Sequence, residues 1–132
     1  MVYSPPRSRN ELLDRYAAGE RYFAGAELDQ NMVPQGIVDL TGAVLDGADF
    51  SNCWFSASFS GASLRAVNFT HANVKCCDFS RADLTDAIFF GAAIEAATWA
   101  GAKVLRTKFG DVSLYGAILT EAEFTAIIES EL

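Results

Sequence analysis

The chain is poor in histidine, cysteine and positive charge. Its one histidine, His71, makes neither a metal site nor a catalytic dyad alone, and it is read as a surface residue at a corner of the chain. There are 3 cysteines, with Cys76 next to Cys77 and Cys53 distant. An odd number without a Cys-x-x-Cys pair gives neither a disulfide framework nor a zinc site, and a reduced, cytoplasmic chain is expected. Lys and Arg number 10 against 17 Asp and Glu, a net charge of -7. Such a balance argues against a phosphate-backbone binder, so no direct contact with nucleic acid is expected. No apolar run approaches the roughly 20 residues of a membrane span. Residues 1–10 hold Pro5, Pro6, Arg7 and Arg9 without an apolar stretch, so no signal peptide is expected. In contrast, 51% of the 132 residues are hydrophobic. That share excludes a disordered acidic tail and gives one domain with a real core.

The apolar residues repeat. Steps of five from Phe59 reach Leu64, Phe69, Val74, Phe79, Leu84, Phe89, Ile94, Trp99, Val104, Phe109, Leu114, Leu119 and Phe124, all apolar. With half the chain apolar, chance produces that about once in ten thousand in a given register. Two places before each of these centres stands a small or β-branched residue: Ala57, Ala62, Val67, Ala72, Cys77, Ala82 and so on to Ala122. A helix spreads positions five apart around its axis, and a strand sends them to opposite faces. A chain that turns a corner every five residues keeps both rows inside. Four such sides close a coil of about 20 residues, stacked at about 4.8 Å.

Units such as Ala82-Asp83-Leu84-Thr85-Asp86 and Ala72-Asn73-Val74-Lys75-Cys76 resemble the pentapeptide-repeat family over about Phe23 to Phe124. The resemblance implies an all-β solenoid, a right-handed quadrilateral β-helix of about five coils with short α-helical caps at both termini. Residues 12–23 resemble the N-terminal cap of that family's cyanobacterial members. The expected organisation is a tail and capping helix over 1–22, the β-helix over 23–124 and a C-terminal cap over 125–132. If coils stack every 20 residues, Phe69, Phe89 and Phe109 form one inner column, and Phe59, Phe79 and Trp99 another. Asp86 then lies under Arg106, Lys75 under Glu95, and Asp83 in line with Lys103.

The register breaks twice. Phe55 to Phe59 is one residue short. Residues 30–37 carry turn chemistry and lengthen a coil, and Pro34 removes a ladder donor there. Because irregular loops on rigid scaffolds often bind, Asn31, Met32 and Pro34 form one candidate site. Ser8 with Glu11 matches a capping box, Leu12, Leu13, Tyr16 and Ala17 follow on one helical face, and Gly19 stops the helix. Thr120 with Glu123, then Ile127, Ile128 and Leu132, gives a second amphipathic segment. That segment serves as a cap or as a dimer interface, so the chain is expected to be a monomer or a dimer through it.

No nucleophile stands with a base and no glycine-rich phosphate loop is present, so neither enzyme activity nor a cofactor or metal is expected. The glycines at corners, Gly47, Gly61, Gly91 and Gly101, are read as meeting the backbone demands of turns. Asp and Asn one place before a centre belong to the repeat. Trp54 and Ile88 replace them with apolar groups, and Phe90 and Tyr115 follow a centre where small polar residues are usual. These four form the second candidate site, because exposed aromatics favour interfaces. The expected function is a rigid scaffold or protein–protein interaction module. An alternative from the resemblance is an inhibitor or protector of DNA gyrase that mimics DNA. The acidic residues spread over all four sides among Arg65, Lys75, Arg81, Lys103, Arg106 and Lys108, which counts against a continuous acidic face.

Overall fold

The computed structural model describes residues 2–28 and 37–112. Between Leu40 and Val112 a corner recurs at every five-residue step, except at the short side Phe55–Phe59. At each but the Val104 corner, the carbonyl of an apolar centre accepts the N–H three residues on, as from Ala62 to Phe59 at 3.0 Å and from Ala87 to Leu84 at 2.9 Å. The residue between them has positive φ, 67° at Gly61 and 62° at Asp86. This is the type II turn. Turns so closely spaced leave only two or three extended residues per side. Among the described residues, regular strands are therefore limited to β1, Val38–Asp39, and β2, Ala57–Ser58, which pair in parallel.

The remaining pairings are single parallel bridges that trace four walls. The first wall stacks Tyr22, Asp49, Asn68, Ile88 and Lys108, and the second Glu27, Trp54, Asn73 and Ala93. The third stacks Asp39, Ser58, Asp78 and Thr98, and the fourth Val44, Ser63, Asp83 and Lys103. Successive rungs are tied in both directions: Phe69 N–H donates to Ile88 O at 2.7 Å, and Ile88 N–H donates back to Val67 O at 2.9 Å. The stagger is 20 residues in the upper coils, as Ser58 to Asp78. It is 19 where a coil contains the short side, as Asp49 to Asn68, and 27 from Tyr22 to Asp49. Described rungs therefore pair across coils of 19, 20 and 27 residues.

Inside, Phe23, Phe50, Phe69, Phe89 and Phe109 stack up the first wall, with centroids 4.8–5.4 Å apart. Phe59, Phe79 and Trp99 stack up the third at 5.3 and 4.6 Å. The two columns face each other and interleave edge to face, Phe69 lying 5.7 Å from Phe59 and 5.8 Å from Phe79. Offset stacks and edge contacts are the favoured arrangements of aromatic quadrupoles. The second and fourth walls contribute aliphatic centres such as Val74, Ile94, Leu64 and Leu84, all buried. The small row, including Ala72, Ala82, Ala87 and Ala92, is buried too. It leaves the width that the facing rings fill.

Where the small row carries a polar atom, that atom turns to a carbonyl in the coil beneath. Cys53 Sγ donates to Phe23 O at 3.0 Å and Thr107 Oγ1 to Leu84 O at 2.7 Å. Burial pushes the Cys53 thiol up to about 12.

Helix α1, Arg9–Ala17, starts at Ser8, whose hydroxyl accepts Glu11 N–H at 3.0 Å. The capping box is displaced by one residue: the Glu11 carboxylate accepts from Arg7 N rather than from Ser8 N. Leu12 joins the core, with Leu13 and Tyr16 packed against it. Ala17, expected on the same face, is exposed. Gly19, at φ 93°, follows the helix as the sequence predicts. The C-terminal segment 125–132 lies outside the described residues.

Candidate functional site

The outer surface is built from three slots per side: the residue before each centre, the one after it, and the left-handed corner. The first explains the recurring Asp and Asn. Asp49, Asn68, Asp78 and Asp83 each accept, through Oδ1, the N–H two residues on, at 2.8–3.0 Å. These are Asx turns that brace the corner. The Asp78 carboxyl is held below its ordinary value by the Ser80 hydroxyl, against burial, with the Ser80 N–H and the Thr98 hydroxyl helping. For Asp83 burial is the largest influence and raises the value, but the Thr85 hydroxyl and N–H outweigh it. Asp46, which follows its centre, accepts from Ser63 Oγ and Arg65 N in the next coil. All these carboxylates are committed to structure.

Charges on the fourth wall pair across coils. Arg106 binds Asp86 through Nε to Oδ1 at 2.7 Å and Nη2 to Oδ2 at 3.1 Å, holding the Asp86 carboxyl low. Lys103 sits on the rung next to Asp83. This wall is a mixed-charge lattice, not an acidic strip. Among the described residues no group of three or more His, Cys, Asp or Glu is placed to hold a metal.

Apolar side chains at these slots stand out because they replace a bracing acceptor. Trp54 and Ile88 occupy Asx positions, Trp54 with 44% exposure and Ile88 half-buried. Phe90 is 46% exposed. The structure brings Ile88 and Phe90 together on the first wall. It sets Trp54 apart, on the second wall and two rungs below Ala93. His71 joins the first group: its ring meets Phe90 edge-on, with centroids 5.7 Å apart. The 20-residue stagger puts His71 under Gly91 and Phe90 under Gly110, and a Cβ at Gly91 would lie 2.4 Å from His71 Nδ1. The two rings therefore fill space that the glycines of the next coil leave open. Sequence reasoning left His71 out, although the stagger already places it beside Phe90. Tyr115, and the loop site Asn31, Met32 and Pro34, lie outside the described residues.

A wall-by-wall coil with Asx-braced type II corners every five residues is a specific architecture. The model of pentapeptide repeats matches the chain in 8 copies, over residues 38–59, 55–86 and 62–98. The chain belongs to the pentapeptide-repeat family. Its fold is similar to that of a pentapeptide repeat protein of the cyanobacterium Cyanothece 51142, with TM-score 0.63, 16% identity, and coverage of 86% of this chain and 100% of that one. It is similar as well to one of Nostoc PCC 7120, with TM-score 0.54, 22% identity, and coverage of 94% and 96%. A search of curated proteins found no match. Both likenesses concern the β-helix solenoid of this pentapeptide-repeat protein.

Proposed function

We propose that this pentapeptide-repeat protein is a non-enzymatic, rigid module that binds another protein through the first wall at Ile88, Phe90 and His71. The single observation behind this reading is Phe90, a large ring left 46% exposed on an inflexible wall. Rigid aromatic anchors lose little entropy on binding and dominate interface energy. Trp54 is a second, separate anchor on the neighbouring wall. On this reading residues 1–22 cover one end of the rod, supported by the burial of Leu12 in the core. Residues 125–132 are assigned to the other end on sequence grounds. The three free thiols fit a reducing, cytoplasmic setting, and no helix among the described residues is long and apolar enough to cross a membrane.

The test is capture from native extract with the wild type, Phe90→Ala and Trp54→Ala. Loss of a partner with Phe90→Ala supports the first wall, and an unchanged set of partners with both variants removes the reading. The alternative, gyrase inhibition by DNA mimicry, has the Asp86–Arg106 and Asp83–Lys103 neighbours against it. A supercoiling assay with added protein decides it.

A further inference from the structure

We propose that Tyr3 and Tyr16 stand in for the backbone of an absent coil and so bar a second copy of this chain from pairing edge to edge with the first coil. The ladder gives the comparison. On the fourth wall Ser63, Asp83 and Lys103 donate their N–H groups to Ala43, Ala62 and Ala82 of the coil beneath, each at 2.9 Å. Val44 is the lowest described rung of that wall, and its N–H is taken by Tyr16 Oη at 3.0 Å. On the first wall the carbonyls of Ser51, Thr70 and Phe90 accept from Gly25, Asn52 and His71 beneath, at 2.8–3.0 Å. The equivalent carbonyl of the lowest rung, Ala24 O, accepts from Tyr3 Oη at 2.8 Å. One phenol acts as acceptor and the other as donor, each matching the group that the missing coil would have offered.

The strap that carries Tyr3 is fastened by outer contacts as well as by the buried Pro6. The Tyr3 ring stands edge-on to Tyr22 at 4.7 Å. Arg15 Nη1 donates to Ser4 O at 2.7 Å, and Arg15 Nη2 pairs with Glu11. Without these contacts the edge would present unpaired N–H and C=O groups, the template for strand addition. The same edge on two copies pairs about a two-fold axis and closes as a dimer, without forming a filament.

Amide exchange at Val44 and sedimentation across a concentration series test this. In the wild type the Val44 amide exchanges slowly, and Tyr16→Phe, which removes only a hydroxyl, speeds it about tenfold. Adding Tyr3→Ala and Arg15→Ala frees the strap, and the mass of this triple variant rises with concentration to twice that of the wild type. A mass equal to the wild type's at every concentration overturns the proposal. Should the triple variant lose its cooperative unfolding, Tyr16→Phe decides alone, since an unchanged Val44 exchange rate overturns the proposal too.

Discussion

Gly61 and Gly91 occupy the same slot of the repeat with nearly equal φ, 67° and 68°. Nine other residue types or positions, from Asn52 to Asp111, accept positive φ at this slot. The corner glycines do take the permissive conformation that the sequence reading assigns them, but the slot does not demand glycine. What differs is the neighbour: a Cβ at Gly61 meets nothing within 4 Å, whereas one at Gly91 runs into the His71 ring. Gly61→Ala is expected to cost about 1 kcal/mol, the ordinary left-handed penalty. Gly91→Ala should cost more in chemical unfolding, and the excess should vanish when His71 is also replaced by Ala. Asp78 gives a second residue-scale prediction. Its folded-state carboxyl lies below the usual 3.8, so the stability it lends is present above about pH 4 and fades as pH falls through the lower value. Asp78→Asn keeps the Asx acceptor and should leave neutral stability nearly intact while flattening the acid limb of the pH–stability curve. Asp78→Ala should lose about 1 kcal/mol at neutral pH.

A wall behaves as a unit because its rings touch along the tube and across it. Phe69 stacks on Phe50 and Phe89 and meets Phe59 and Phe79 edge-on. Phe69→Ala should therefore cost about 3–5 kcal/mol by urea denaturation, near the top of the range for buried rings. Ala92→Leu presses on the same interior from the small row and should cost about 1–3 kcal/mol. The columns behind these numbers were readable in the sequence, since a five-residue period and a 20-residue step depend only on chain geometry. So was the separation of Trp54 from Ile88, which the same stepping sets on neighbouring sides of the tube. The company of His71 was harder to read. His71 looks solitary until the empty space over Gly91 gives its ring a place beside Phe90.

At the scale of the whole molecule each coil touches only its neighbours above and below, so stability is a sum of coil and interface contributions. Amide exchange should follow that arrangement. Phe109→Ala lies among the uppermost described rungs and should loosen amides there while leaving the Phe50 region protected. Phe69→Ala should loosen rungs on both sides of the middle. Equal loss of protection everywhere in both variants would show a single cooperative block instead. The fold class was legible in the sequence because the same unit recurs. The N-terminal edge was not, because it depends on two tyrosines reaching backbone groups 21 and 28 residues away. The lengthened coil carries one more consequence. Glu27 pairs with Trp54 and Val38 with Ala57 on either side of residues 29–36, so the rungs that flank this segment keep their register in a coil of greater length. Residues 29–36 are therefore expected to serve as a splice point: foreign peptides of differing size, grafted there, should leave thermal unfolding nearly unchanged.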